Sequence, residues 1–240
     1  MGEMFKAVLF DLDGTLLPMK QDEFVRYYFS LLAERFQPLG YDTKEFHGTI
    51  WKGIAAEAGN DGSRTNEEVF WDVFASVFGE ESRSAASVFE DFYRNEFQKV
   101  KGVCQPSPLA DEIVKMLKAK GCKVVLATNP IFPRIATESR TRWAGLDIDD
   151  FDICTTMENS RLAKPNPEYY RHLLELIDVR PEDCLMVGND VEEDMVASEL
   201  GMKVFLITYD VISRTGKDIG TYPQGDLKAL KEYLEKEMCQ

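Results

Sequence analysis

The chain has 240 residues, of which 44% are hydrophobic and 29% are charged. This composition is typical of a globular protein with one large domain, or with a core domain and a smaller second one, and it excludes a disordered or collagen-like chain. The 28 basic and 42 acidic residues give a formal net charge of −14, and no Lys/Arg cluster is segregated, so we expect no nucleic-acid partner.

Short apolar runs that end at polar turns predict the strands of a sheet. The first run, KAVLF, ends at the acidic turn DLDGT, and KVVLA ends at Thr128 and Asn129. Runs of this length with little alternation indicate strands that are buried on both faces. The predicted strands cover residues 6–10, 123–127, 153–155, 184–187 and 203–207.

Apolar residues at spacings of three and four predict helices between and before these strands. Thr65 lies three residues before Glu68, which indicates a capping box at the start of one of them. Ser107 and Pro108 are typical of a helix start, and Gly121 of the position just past a helix end. The predicted helices cover residues 24–36, 69–78, 89–97, 108–120, 133–143, 167–177, a segment that ends at Gly201, and 227–238.

Strands that alternate with helices predict an α/β fold, a doubly wound (Rossmann-like) parallel sheet with helices on both faces. A long helical block interrupts the alternation after the first strand. We therefore predict an α/β core made of residues 1–17 and 103–240, with an inserted all-α cap domain at residues 18–102.

The polar groups of interest follow apolar strands. Asp11 and Asp13 follow the first strand, Thr128 and Asn129 follow the second, and Asp190 follows a later one. Ligands of open α/β sheets bind beyond the carboxyl ends of the strands. If these strands are neighbours, the side chains meet in one crevice, which Lys164 could reach from its Pro-flanked loop.

Converging carboxylates repel one another and need a cation. Oxygen-only ligands favour a hard ion, and Mg²⁺ suits a site of few carboxylates with water and phosphate. The Thr128 hydroxyl, the Lys164 ammonium and backbone N–H groups near Gly14 could hold phosphoryl oxygens. A carboxylate close to phosphorus can act as a nucleophile, and a second acid two residues on can protonate the leaving oxygen.

Four segments in this order resemble the four motifs of the haloacid dehalogenase (HAD) superfamily. They are FDLDGTLL, the strand-end Thr in VVLATN, the Lys in AKPNPEYY and the acidic turn in VGNDVEED. The resemblance covers essentially the whole chain, including a helical cap inserted between the first and second motifs. Its most specific part is the first motif.

The resemblance implies a role for each matching residue. Asp11 would be the nucleophile and a Mg²⁺ ligand, and Asp13 would be the general acid and then the base, with its backbone carbonyl on the metal. Thr128, Asn129 and Lys164 would bind the phosphoryl group of the substrate, and Lys164 would also screen Asp11. Asp190 would ligate Mg²⁺.

The acid at Asp13 separates branches of the superfamily, because dehalogenases lack it and members that transfer phosphate keep it. The fourth motif departs from many relatives, in which Asp directly follows Gly, since Asn189 stands there and Asp190 comes next. The sequence leaves open whether Asp190 or Asp194 lies nearer the metal. We favour Asp190, which is closer to the strand end, and we expect Glu192 and Glu193 to be solvated.

These features predict a Mg²⁺-dependent phosphatase that hydrolyses a small phosphorylated metabolite through an aspartyl-phosphate on Asp11. Two alternatives stay open: a sugar phosphomutase of the same superfamily, and a catalytically idle regulatory member. The substrate, the cap residues that select it and the oligomeric state are not specified by the sequence.

The remaining features indicate a cytoplasmic protein. The N-terminal segment does not resemble a secretory signal, and no apolar run approaches the ~18–20 residues that span a bilayer, so no membrane partner is expected. The five cysteines form no CxxC pair and only two histidines are present, which favours free thiols over a zinc site.

Overall fold

A parallel six-stranded sheet forms the centre of the computed structural model, which describes residues 5–238. The spatial order of the strands is β3-β2-β1-β4-β5-β6. The strand bounds are β1 Ala7–Phe10, β2 Lys123–Leu126, β3 Ile153–Cys154, β4 Cys184–Gly188, β5 Lys203–Ile207 and β6 Gln224–Gly225. The predicted doubly wound α/β class is confirmed.

Successive residues of strands β1 to β5 enter two separate hydrophobic clusters, one on each face of the sheet. Val8 and Phe10 of β1 belong to one cluster, whereas Ala7 and Leu9 belong to the other. This alternation follows from the two-residue period of a strand. Both faces are apolar, so helices must cover both of them.

The core helices divide between these faces. Helices α5 and α8 pack on one face, and α7 packs on the other. The helix bounds are α5 Pro108–Ala119, α6 Arg134–Trp143, α7 Pro167–Ile177 and α8 Leu227–Met238. The segment predicted to be a helix up to Gly201 is instead a 3₁₀ helix, Met195–Leu200, with Gly201 in the left-handed conformation at its end.

A helical block lies between β1 and α5 in the chain. Its helices are α1 Gln21–Phe36, α2 Thr43–Ala58, α3 Asn66–Phe78 and α4 Ala86–Arg94. The segments that lead into and out of this block are joined, because Gln105 N–H donates to the Pro18 carbonyl at 2.7 Å and Met19 forms a bridge with Cys104.

Aromatic side chains form the interior of this helical block. Phe36 stacks on Phe46 with ring centroids 4.6 Å apart, and Phe89 lies 4.4 Å from Phe36. The predicted capping box is present: the Thr65 side chain accepts from the Glu68 N–H, and the Glu68 carboxylate accepts from the Thr65 N–H. The regular spacing of aromatic residues in this part of the sequence therefore reflects the packing of one helix against another.

The sequence interpretation missed helix α2. Its buried face consists of Phe46, Thr49, Ile50, Gly53 and Glu57, and several of these are not apolar, so the periodic signal is weak. Gly53 lets α2 approach α3 closely, since a Cβ there would lie 2.6 Å from the Phe70 ring. The third predicted cap helix is shorter than expected, because Phe97 lies in a 3₁₀ segment, Glu96–Val103, after α4.

Two further features are the character of the helices and the state of the cysteines. Within residues 5–238, no helix combines the length and apolar character that crossing a membrane requires. Cys104, Cys122, Cys154 and Cys184 are free thiols, and Cys239 lies outside the described residues.

Candidate active site

The carboxyl ends of three adjacent strands bring the predicted site residues together. Phe10, the last residue of β1, is in register with Leu126 of β2 and Val187 of β4. The residues that follow these strands therefore share one edge of the sheet. Five of them line one cavity of about 790 Å³, together with Lys164. They are Asp11, Asp13, Thr128, Asn129 and Asp190.

The roof of this cavity, called here the catalytic chamber, comes from the helical block. Val25 and Arg26 of α1 and Trp51 and Ile54 of α2 line it opposite the sheet edge. The chamber is thus enclosed by two parts of the chain that are far apart in sequence. Such a concave space, apolar in part and with converging polar groups, is typical of a small-molecule site.

Lys164 is a fully buried cation between two carboxylates. Its Nζ lies 3.0 Å from Asp11 Oδ1 and 2.6 Å from Asp194 Oδ1. Burial by itself would lower the pKa of Lys164, but attraction by Asp11 and Asp194 outweighs it and holds the pKa well above its usual range. Lys164 therefore carries a positive charge beside the Asp11 carboxylate.

Asp13 pairs with a buried arginine. Its Oδ2 accepts a hydrogen bond from the guanidinium of Arg140, whereas its Oδ1 is buried and has no partner among the described residues. Burial raises the pKa of Asp13 to about 6, against the opposing attraction of Arg140. The carboxyl group therefore takes and gives up a proton more readily near neutral pH than an exposed Asp.

The turn after Asp13 is fixed by Asn189. Gly14 has a φ of +83°, and a Cβ there would lie 2.3 Å from Asn189 Nδ2, so only glycine fits. The Thr15 hydroxyl donates to Asn189 Oδ1 at 3.1 Å, and Asn189 Nδ2 donates to the Asp210 carbonyl at 2.8 Å. Asn189 therefore joins three loops of the site.

The two acids of the fourth motif have different partners. Asp190 Oδ1 accepts from the N–H groups of Glu192 and Glu193, both at 2.9 Å, and Asp190 Oδ2 lies 2.7 Å from Arg214. Asp194 Oδ2 accepts from the Asp190 N–H at 2.9 Å. Asp194 thus connects the Asp190 loop to Lys164, which agrees with an orienting role.

Thr128 and Asn129 lie beside Lys164. The Thr128 hydroxyl makes no hydrogen bond to any described residue, whereas its carbonyl accepts from the Tyr169 hydroxyl at 3.0 Å. Asn129 Oδ1 accepts from the Lys164 N–H at 3.3 Å, and its Nδ2 donates to Glu193 Oε2 at 2.9 Å. Thr128 is therefore free to donate to a ligand, while Asn129 supports the Lys164 loop.

Two residues of the site were missed or misjudged from sequence. Glu193, expected to be solvated, is half-buried against Asn129, and burial together with Asp190 raises its pKa to about 7. Arg140 was missed, because it belongs to none of the four motifs. A signal did exist, because Ala136, Arg140 and Trp143 share one helix face at spacings of four and three, and the two apolar members are buried.

The donors present fit a hard divalent cation. The chamber lining contains six carboxylates, those of Asp11, Asp13, Asp22, Asp190, Glu193 and Asp194, against the three cationic side chains of Arg26, Lys164 and Arg214. Within residues 5–238, no three His, Cys, Asp or Glu side chains are gathered as a metal cluster. Asp13 faces Arg140 and Asp194 faces Lys164, whereas Asp11 and Asp190 follow the neighbouring strands β1 and β4, and two such carboxylates suit Mg²⁺ with water and phosphate.

Comparison with known proteins agrees with this geometry. The family model for haloacid dehalogenase-like hydrolases matches residues 5–200. The chain is 24% identical over 208 residues to the pyrophosphatase PpaX of Bacillus cereus (strain G9842), a match that covers 87% of this chain and 85% of that protein. The chain belongs to the haloacid dehalogenase-like hydrolase family, and the predicted enzyme class, a HAD-like hydrolase of the phosphatase type, is confirmed.

Solved structures share the fold at low identity. A HAD phosphatase from Thermococcus onnurineus has a TM-score of 0.59 at 21% identity, with 95% of this chain and 97% of that chain covered. The HAD hydrolase YfnB from Bacillus subtilis, solved with bound magnesium, has a TM-score of 0.59 at 18% identity. A 2-haloacid dehalogenase from Pseudomonas syringae pv. Tomato DC3000 has a TM-score of 0.61 at 20% identity. Both of these matches cover 97% of this chain and 99% of the other. Fold alone therefore does not separate phosphatases from dehalogenases.

Proposed function

We propose that this protein is a Mg²⁺-dependent phosphatase that hydrolyses a small phosphorylated metabolite through an aspartyl-phosphate on Asp11. The observation that carries the proposal is the fully buried Lys164 ammonium 3.0 Å from Asp11 Oδ1, at the sheet edge where Asp13 follows on the same loop. This arrangement places a carboxylate nucleophile, a charge that binds phosphate and a second carboxyl group in one enclosed chamber.

The first step transfers the phosphoryl group to the protein. Asp11 attacks phosphorus, an Asp–O–P bond forms and the ester P–O bond breaks, while Asp13 gives its proton to the leaving oxygen. The Lys164 ammonium and the Thr128 hydroxyl donate to the phosphoryl oxygens. Asn129 holds the Lys164 loop in place through the bond from Lys164 N–H to Asn129 Oδ1.

The second step releases phosphate. Asp13, now deprotonated, takes a proton from water as the water oxygen attacks phosphorus, and the Asp11 carboxylate leaves. Asp11 and Asp190, with the main-chain carbonyl of Asp13, are the groups that would hold Mg²⁺. When bound there, the ion supplies positive charge that offsets the excess of carboxylates and stabilises charge on the transferred group.

Asp13 favours phosphoryl transfer over dehalogenation. A halide leaves without a proton, so a dehalogenase has no use for a carboxyl group at this place, whereas an alkoxide leaving group needs one. The carboxyl group is present, largely buried and part of the chamber lining. This supports a phosphatase among relatives whose folds are nearly the same.

We further propose that residues 18–102 act as the cap over the substrate. Helices α1 and α2 form the roof of the chamber, and the paired segments at Pro18 and Gln105 give the block a narrow connection to the core. A chamber covered in this way admits small molecules and excludes bulk water, which strengthens the electrostatic interactions inside.

The chamber favours a substrate with a second anionic group. Arg26 is exposed on α1, lines the chamber and has no ion pair among the described residues. Arg26 belongs to α1, in the proposed cap, whereas Lys164 belongs to the loop before α7. The relative PpaX is named a pyrophosphatase, and pyrophosphate carries two linked anionic groups. For Arg26→Gln we expect a higher KM for such dianionic substrates and little change for 4-nitrophenyl phosphate.

Hydrolysis of 4-nitrophenyl phosphate with Mg²⁺ tests the proposal. We expect Asp11→Asn to abolish activity, EDTA to do the same reversibly, and acid quenching of Asp13→Asn to trap a chain that is heavier by one phosphoryl group. Asp178→Asn is a matched control, because Asp178 is exposed at the end of α7 with a φ of 52°, a conformation that Asn tolerates. Retained activity in Asp11→Asn would refute the proposal.

A further inference from the structure

A fully buried arginine on α6 contacts the acid of the proposed mechanism. Arg140 is 0% exposed, and its guanidinium pairs with Asp13 Oδ2. Its Nε donates to the Ala136 carbonyl and its second terminal nitrogen donates to Thr137 Oγ1, both at 3.3 Å. The guanidinium carbon lies 4.2 Å from the centre of the Phe132 ring. Each nitrogen of the guanidinium therefore has a partner in the protein, and the Phe132 ring packs against the group.

Stability alone does not explain such a residue. Burying an arginine removes it from water, and replacing a buried ion pair by apolar side chains of similar size is often neutral or stabilising. Helix α6 already presents Ala136 and Trp143 on the same face, so a leucine or methionine at position 140 would continue an apolar surface. The positive charge of Arg140 is therefore better explained by its contact with Asp13 than by stability.

The chemistry of the guanidinium defines that task. Arginine has only donors and does not lose its proton in proteins. Asp13 Oδ2 must therefore act as an acceptor whether or not the carboxyl group is protonated, and the acidic proton is left to Oδ1. Oδ1 is buried and has no hydrogen-bond partner among the described residues, so it is the oxygen of Asp13 whose hydrogen-bonding capacity is left for a substrate.

We infer that Arg140 is a positioning residue that fixes the Asp13 carboxyl group so that Oδ1 delivers the proton to the leaving oxygen. This inference rests on the proposed function. During the step, the Asp13 Oδ1–H bond breaks and an O–H bond forms on the leaving group, as the ester P–O bond breaks and the bond from phosphorus to Asp11 forms. Arg140 itself touches neither substrate nor phosphorus.

Phe132 extends this arrangement to the cap. Its ring, which packs against the guanidinium of Arg140, also meets the rings of Phe24 and Tyr28 of α1 edge-on, with centroids 6.4 Å and 5.6 Å away. The orientation of the Asp13 carboxyl group therefore depends on groups packed in series, from α1 through Phe132 to Arg140. Removing the Phe132 ring should loosen Arg140 without removing its charge.

The test compares two aryl phosphates of similar shape. The 4-nitrophenolate of 4-nitrophenyl phosphate leaves without a proton, whereas the more basic phenolate of phenyl phosphate needs one. The value of kcat/KM reports the steps up to departure of the phenol. For Arg140→Met we expect kcat/KM to fall about 100-fold with phenyl phosphate and less than about tenfold with 4-nitrophenyl phosphate, because a general acid contributes roughly 10²- to 10⁴-fold.

Three further variants define the result. Arg140→Lys keeps the charge and should recover part of the loss with phenyl phosphate. Asp13→Asn combined with Arg140→Met should lose no more with phenyl phosphate than Asp13→Asn alone, since both changes remove the same proton transfer. Arg142→Met is the matched control. Arg142 lies on the same helix but is exposed, and the substitution should leave kcat/KM unchanged for both substrates.

Equal losses with the two substrates, or additive losses in the double variant, would overturn the inference. If Arg140→Met does not fold, as judged by circular dichroism, Phe132→Leu provides the same comparison, and equal losses of kcat/KM with the two substrates in that variant count against the inference. Activity that persists in Asp11→Asn would instead refute the proposed function, so the two failures are distinguishable.

Discussion

Lys164 Nζ lies 3.0 Å from Asp11 Oδ1, although 153 residues separate the two in the chain. The contact connects the end of β1 with the loop before α7, and both groups are shielded from solvent. Buried charges are tolerated only when paired, so the contact serves the fold as well as the proposed chemistry.

We predict that Lys164→Met loses both activity and stability. Asp11 and Asp194 would be left as buried, unpaired carboxylates, and breaking a buried pair costs about 3–5 kcal/mol. The free energy of unfolding from urea titration measures this loss. Lys115→Met is the control, because Lys115 forms only an exposed pair with Asp111. Adding Asp194→Asn to Lys164→Met should restore part of the stability and none of the activity; a recovery of activity would contradict the role given to Lys164.

Much of this site was predictable because its residues follow strands. Asp11 and Thr128 stand directly after apolar runs, Asp190 stands two residues after the end of β4, and the parallel sheet brings strand ends together whatever else the chain does. Lys164 was proposed from its Pro-flanked loop, and its assignment to the site was strengthened by resemblance to a motif. Its contact with Asp194 was not predicted, since no local pattern shows which of several acids a lysine meets in the folded chain.

The burial of Arg140 and the existence of helix α2 were not predicted from the sequence. Arg134, Arg140 and Arg142 all lie on α6, and only the middle one is buried, because only it faces Asp13 across the sheet edge. Helix α2 packs through Gly53 and Glu57 as well as through apolar residues, and neither type marks a buried face in a sequence. The partner that determines the burial of Arg140 lies 127 residues away in the chain, and Gly53 of α2 is buried against Phe70 of the following helix.

We predict that Asp190 matters more than Asp194 for binding Mg²⁺. Asp194 is 1% exposed and is engaged by the fully buried Lys164 and by the Asp190 N–H, whereas Asp190 lies nearer the end of β4 and its Oδ2 pairs with Arg214, a side chain that is 54% exposed. Asp190→Asn should raise the Mg²⁺ concentration for half-maximal activity by more than about tenfold, the range seen when metal-site groups are removed. Asp194→Asn should mainly lower stability. The opposite order, measured by Mg²⁺ titration of activity and by calorimetry, would place Asp194 nearer the ion.

We predict that Asn189→Asp destabilises the protein, although many relatives carry Asp directly after Gly. The Asn189 Nδ2 group donates to the Asp210 carbonyl at 2.8 Å, and a carboxylate oxygen there would face another acceptor. Leaving such buried groups unpaired costs about 1–3 kcal/mol. Thermal and urea unfolding measure the change, with Asn166→Asp as control, since Asn166 caps α7 through its oxygen and Asp caps equally well. Unchanged stability in Asn189→Asp would show that this loop adapts to either residue.

We predict that Glu57→Gln stabilises the protein at alkaline pH. Glu57 is 0% exposed in the last turn of α2, and neither carboxylate oxygen has a partner among the described residues. Burial, followed by repulsion from Glu158, raises its pKa well above the usual 4.5, and the negative end of the helix dipole also disfavours the charge. Tyr28 and Tyr93 are the other titratable groups that act on it electrostatically, and both stay neutral at these pH values because burial raises their pKa.

The sign of the effect follows from proton binding. Between the unfolded and the folded pKa, the native state binds more protons than the unfolded state, so the free energy of unfolding falls as pH rises from about 4.5. Gln mimics the protonated acid and removes this loss. Urea titrations at pH 5 and pH 8 should therefore give a gain for Glu57→Gln at pH 8 of at least about 1 kcal/mol and little difference at pH 5. Glu34→Gln, an exposed site on α1, should show no such dependence. A Glu57→Gln protein that is equally destabilised at both pH values would mean that the carboxylate has a partner in solution.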